Sequence, residues 1–246
     1  MWATASLAAD RWAVGGLASP ECPALATKWT VDALAYNPLD YPQSVRLLGI
    51  SNGGGYETVD PVATLEPGEM LSINSRWVPK VSQTLWVAHL DVPEGIELAG
   101  VMYLGEIQCT LPPEPERDAV RGAVSVPVFD SLHEANQPHV HLATGLGQLR
   151  HRTNVAVYNH GTEEASATIE QYSSSSGAQV GAASVRVPAR TIVQVPVLRL
   201  EHPVPGTPQG VRRWLQHVIV RMDQPGFSFV SNLAEDHPVR SLIQVR

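Results

Sequence analysis

The sequence predicts an all-β protein, made of two tandem antiparallel β-sandwich modules related by internal duplication. Three observations carry this expectation. Gly 19 and Pro 20 are abundant among 246 residues, and both residue types break helices while suiting short strands joined by turns. Apolar residues alternate at a spacing of two in several runs, the period of a half-buried strand. A set of landmarks recurs in the same order in the two halves.

The alternation is plainest in the second half. Val155 and Val157 share one face of a strand, and Ala165, Ala167 and Ile169 continue the pattern in the next. Ser173-Ser174-Ser175-Ser176-Gly177 reads as a hairpin loop, with Val185 and Val187 on the return strand. Val193, Val195 and Val197 alternate after Pro188, and Val218–Met222 and Phe227–Leu233 form a hairpin about Asp223-Gln224-Pro225-Gly226. The best helical candidate is the short segment Pro208–Gln216, where one helical turn is expected.

The repeated landmarks begin at Tyr36-Asn37 and Tyr158-Asn159, each at the end of a strand. A Pro-centred turn follows, at Leu65-Glu66-Pro67-Gly68-Glu69 and at Val187-Pro188-Ala189-Arg190. Tyr36 to Pro67 is 31 positions and Tyr158 to Pro188 is 30. Leu85–Asp91 with its Pro-Glu-Gly turn then matches His217–Asp223 with its Pro-Gly turn. The longer spacing in the second half is accommodated by the Pro/Gly-rich loop 201–210, because surface insertions cost little. Residues 1–110 form the first expected module and 124–246 the second. The Pro-rich segment 111–123 is the linker between them.

Composition narrows the functional classes. Net charge is −7 and Lys28 and Lys80 are the only lysines, so a nucleic-acid surface, which needs clustered cations, is not expected. No run reaches the roughly 20 apolar residues of a membrane-spanning helix, so the chain is expected to have no transmembrane segment of its own. The opening Met1–Asp10 lacks the basic region of a signal peptide, which leaves either a chain that stays inside or a mature form. The cysteines, Cys22 and Cys109, fall near the ends of the first module. A disulfide between its first and last strands implies an oxidising compartment; two partly buried thiols are the alternative.

The second half resembles immunoglobulin-like β-sandwich repeats of bacterial extracellular and cell-envelope proteins. The likeness rests on Val124–Phe129 as opening strand, the run Arg150–Asn159 with its Arg-Thr-Asn start and Asn turn, the strand Ala167–Tyr172, and Val185–Pro188. The first half shares it through Trp29–Asn37 and Leu65–Glu69. The resemblance implies spacer, adhesive or assembly-subunit roles and carries no catalytic residue or cofactor with it. It also implies an extracytoplasmic location, periplasmic or extracellular.

Histidine is the residue type with chemical promise. His139-Val140-His141 places two imidazoles on one face of a strand, and His151 on a neighbouring strand is the candidate third ligand for a transition metal. The HxH pair resembles the first motif of cupins, but the Glu that should follow is replaced by Ala143-Thr144-Gly145-Leu146. Gly-x-Ser-x-Gly is absent, and Glu163-Glu164 and Glu235-Asp236 read as turn acids rather than a glycosidase pair. Asn52-Gly53-Gly54-Gly55 lacks the Lys-Ser/Thr of a phosphate loop. Among the tryptophans, Trp29 and Trp86 are assigned to the core and Trp77 to a partner-contacting surface. The expected role is that of a non-catalytic structural or interaction protein that docks onto a larger envelope or surface assembly of protein partners. A carbohydrate-binding or adhesive module and a metal-binding protein are the alternatives.

Overall fold

The computed structural model describes residues 8–18, 26–52, 55–77, 85–107, 120–126, 128–146, 151–196, 202–203 and 212–234. The protein is all-β, and every strand pair among the described residues is antiparallel. The chain divides into two compact units, Met1–Ser131 and Leu132–Arg246.

The first unit contains β1 (Ala8–Ala18), β2 (Ala26–Tyr36), β3 (Gln43–Asn52), β4 (Gly55–Thr58), β5 (Val62–Leu65) and β6 (Met70–Ser72). A five-residue helix α1 (Ile73–Trp77) follows, then β7 (Leu85–Pro93), β8 (Glu97–Ile107), β9 (Val120–Val126) and β10 (Val128–Phe129). The sheet order is β4-β3-β7-β1-β2-β8-β9, with β5 on β3, β6 on β2 and β10 on β1. Strand β1 pairs with β7 along Ala8–Gly16 and with β2 along Gly16–Ala18. It therefore joins two layers, whose inner faces supply one core: Ala13, Val45, Leu47, Trp86, Ala88 and Leu90 from one side, Ala33 and Ala35 from the other. This is β-sandwich-like packing.

The second unit contains β11 (His139–Leu146), β12 (His151–Asn159), β13 (Ala165–Ser173), β14 (Gln179–Val187), β15 (Ile192–Pro196), β16 (His202–Pro203), β17 (Arg212–Met222) and β18 (Gly226–Ala234). It has two sheets, β11-β17-β13-β14 with β16 on β17, and β15-β12-β18. Val155, Val157 and Val230 of the smaller sheet pack against Ala167, Ile169, Val218, Val220 and Met222 of the larger. Burial on β13 follows the expected period of two, at Ala165, Ala167, Ile169, Gln171 and Ser173. On β12 and β18 it does not. Val155–Asn159 and Gly226–Val230 are buried at every position, the pattern of strands covered on both faces. Ala156, Tyr158, Phe227 and Phe229 are accordingly small or apolar.

An asparagine closes the strand before the corner in each unit. Asn37, fully buried, donates from Nδ2 to the carbonyls of Tyr41 and Leu65 (2.9 Å each), and its Oδ1 accepts from the Leu39 amide at 3.0 Å. Asn159, also fully buried, donates to the carbonyls of Glu163 (2.7 Å) and Val187 (3.0 Å), and its Oδ1 accepts from the Gly161 amide at 2.8 Å. The Asn37 amide bonds to Glu69 O and the Asn159 amide to Thr191 O, both at 3.0 Å. A buried side-chain amide thus satisfies corner carbonyls that no sheet ladder reaches.

The structure changes three sequence-based expectations. The segment Val124–Phe129, expected to open the second module, instead pairs through β9 with β8 and through β10 with β1. The division between units therefore follows Ser131, and of the expected linker 111–123 the part 111–119 lies outside the described residues. The expected helical turn at 208–216 is strand from Arg212 onward, with Trp214 and Leu215 in the long β17; 208–211 lie outside the described residues. The one helix among the described residues, α1, is five residues long and too short for a periodic signature.

Candidate functional site

The second unit's interior is apolar in its middle and polar along β11. The inner face of β11 presents His139, His141 and Ala143, and β17 lies beside it with Val220, Val218 and Gln216 opposite these in register. Across the sandwich, Ser228 of β18 faces both histidines. Its hydroxyl Oγ is 2.9 Å from His139 Nδ1 and 2.7 Å from His141 Nε2. The spacing of two thus does what the sequence predicts, in that both imidazoles reach one point from one strand face.

His133 completes the cluster from the segment preceding β11. It is held by reciprocal backbone bonds with Gly226, 2.8 and 3.1 Å. Its ring lies against that of His139, tilted by 37° with centroids 3.9 Å apart, and its Nδ1 is buried without a partner. Gly226 is required at this crossing, because a Cβ there would overlap the Tyr158 carbonyl.

Burial dominates the electrostatics. It pushes His139 down to about 3, helped by the neighbouring charges of His133 and His141. It pushes His141 down to about 4, helped by His133. Both rings are therefore neutral at pH 7, and a serine hydroxyl suits two neutral rings: it donates to one and accepts from the N–H of the other. The result is a hydrogen-bonded tie between the two sheets. Its chemistry is poor for general base catalysis, which is most efficient with a pKa near the working pH. Ser228 is also only 4 % exposed, so a substrate has little access to its hydroxyl.

Of the expected metal ligands, the structure brings His139 and His141 together and directs both at Ser228. His151 begins β12, opposite Ala234, and its side chain lies outside the described residues. Among the described residues no group of three or more His, Cys, Asp or Glu is placed to hold a metal ion. His160 lies apart, with Nδ1 3.3 Å from the Tyr158 hydroxyl. Trp77 closes α1 and is half-buried against the first unit's core. Trp86 is 2 % exposed, in the core as expected. The side chain of Trp29, and both Cys22 and Cys109, lie outside the described residues.

Sequence reasoning missed Ser228 and the role of His133. Ser228 sits in the apolar run Gly226–Val230, where a lone buried serine was the available signal. A second missed feature is the polar end of the same interior. Gln216 is fully buried with both amide atoms unpartnered, and Gln171 is 4 % exposed with Oε1 unpartnered. Internal water is the usual partner for such groups. No described helix is long and apolar enough to cross a membrane. Comparison with protein-family models, curated proteins and solved structures finds no match for the chain.

Proposed function

We propose that the chain is a non-catalytic structural or interaction protein of two related β-sandwich modules, an extracytoplasmic subunit that docks onto a larger envelope or surface assembly. The observation that carries this reading is the repeated corner. Asn37 and Asn159, their acceptors Tyr41 and Glu163, Leu65 and Val187, their donors Leu39 and Gly161, and Glu69 and Thr191 are all 122 positions apart. The left-handed residue of the following turn obeys the same offset, Gly68 at φ 77° and Arg190 at φ 51°.

Strand pairing supports the same correspondence. In the first unit β2 lies between β6 and β8, and β7 between β3 and β1; in the second β12 lies between β15 and β18, and β17 between β13 and β11. The sequence landmarks align Pro67 with Pro188, one residue away from the alignment that the hydrogen bonds favour. Repeated sandwich modules carry exposed sheet edges and loops, the surfaces through which such folds engage partner strands. The extracytoplasmic part of the proposal rests on the resemblance of residues 124–246 and on the cysteine pair.

Two experiments test this function. Size exclusion and affinity capture from the native source should place the chain in a complex much larger than itself. Recovery only as a solitary monomer contradicts the reading. Alkylation before reduction should label neither Cys22 nor Cys109, whereas labelling of both removes the argument for an oxidising compartment.

A further inference from the structure

The two units treat one sheet edge in opposite ways. In the first, the strand outside β3 is split into β4 and β5. Asp60 and Pro61 lie at the break, and Asp60 is forked onto Arg46, with Nη2 2.7 Å from Oδ2. A charge and a proline are common means of stopping a sheet edge from accepting another strand. In the second unit the strand outside β13 is the unbroken β14, Gln179–Val187. It has no proline and no acid. Among the described residues it pairs with β13 alone.

We infer that the outer edge of β14 docks the same edge of a second copy of this chain, antiparallel across a two-fold axis. This rests on the reading of the chain as an assembly subunit and names one of its surfaces. The register of β13 and β14 is regular over Gly181–Val187 and shifts at Gln171/Tyr172, beyond that span. The self-pairing that uses all of the regular span is centred on Ser184. It sets Gly181 opposite Val187, Ala182 opposite Arg186, Ala183 opposite Val185, and Ser184 opposite Ser184 of the other copy. Ala182, Ser184 and Arg186 are exposed on one face. The only charged residue of the strand, Arg186, then meets a small neutral residue, and no like charges stand opposite. Val185, half-buried where it packs against the core from the edge, would be covered further by the added strand. A hydroxyl pair on the axis is a favourable cross-strand contact. The strand therefore fits itself in charge and in side-chain size, which selects a second copy as its occupant.

The register makes a test of opposite signs. Sedimentation velocity of the purified full chain should show a dimer. Ala182→Lys faces Arg186 of the other copy twice and should weaken the dimer by about tenfold, since like charges directly opposite are unfavourable. Ala182→Glu at the same exposed position should leave it as tight or tighter. Ser184→Lys, which puts two lysines on the axis, should weaken it as Ala182→Lys does. Circular dichroism checks that each variant stays folded. A monomeric wild type overturns the inference, as does a dimer equally tight in the Lys and Glu variants. If the purified chain is a monomer but migrates in a large complex from its source, this inference fails and the assembly reading stands. A purified dimer that is solitary in native extract gives the reverse.

Discussion

Asn37 and Asn159 each donate two or more hydrogen bonds to backbone carbonyls from a fully buried side chain. Replacing either with Ala removes the donor and leaves those carbonyls unpaired, at a cost of about 3 kcal/mol. Asp should be no better, because a carboxylate cannot donate. Urea unfolding of Asn37→Ala, Asn37→Asp and the matching Asn159 variants measures this. Gly68 has φ 77° and empty space where a Cβ would sit. Gly68→Ala should therefore cost about 1–2 kcal/mol through backbone strain alone. The histidine tie predicts a pH dependence. Unfolded, His139 and His141 titrate near the ordinary value of about 6.5; folded, they are held to about 3 and about 4. Below pH 6.5 the unfolded chain binds more protons than the folded one. Their contribution is complete above pH 6.5 and is lost as pH falls toward 4, with a slope of at most about 1.4 kcal/mol per pH unit for each ring. Denaturant midpoints between pH 7.5 and 4.5 should show this, and His141→Gln should remove that ring's share. Ser228→Ala leaves two ring nitrogens unpaired and should cost about 1–3 kcal/mol at pH 7.5.

At the scale of elements, the strands with period-two burial were legible in the sequence and those buried on both faces only partly so. Thr153–Tyr158 declared itself through Val155 and Val157, but nothing in that alternation says that Ala156 and Tyr158 are buried as well. The Tyr-Asn strand ends were visible as a repeated pair of letters. Their function as corner bonds was not, because the acceptors at Leu65 and Val187 lie 28 positions away. The HxH pair pointed to one shared face; what that face meets, Ser228, is 87 positions from His141 and could be found only by folding the second sheet onto the first. Val124–Val126 and Val128–Phe129 are strand, as the sequence predicts, but their partners are β8 and β1 of the first unit; an apolar run carries no record of its pairing partner. The edge contrast between β4–β5 and β14 has a stability consequence too. Asp60 and Arg46 are exposed, where solvent screens an ion pair, so Asp60→Ala is expected to leave the midpoint almost unmoved.

For the whole molecule, the proposal is that two units, each holding its own core and its own asparagine corner, repeat one plan. That repetition supports a role in assembly more strongly than any single side-chain group supports chemistry. It also makes the units separable by mutation, since damage at one corner should leave the bonds of the other in place. Amide hydrogen exchange followed by NMR on the full chain tests this most directly. The amides of Asn37, Leu39 and Glu69 and those of Asn159, Gly161 and Thr191 should be protected as matched sets. Asn37→Ala should release only the first set and Asn159→Ala only the second. Protection confined to one unit, or loss of both sets from either substitution, would contradict the repeated-module account.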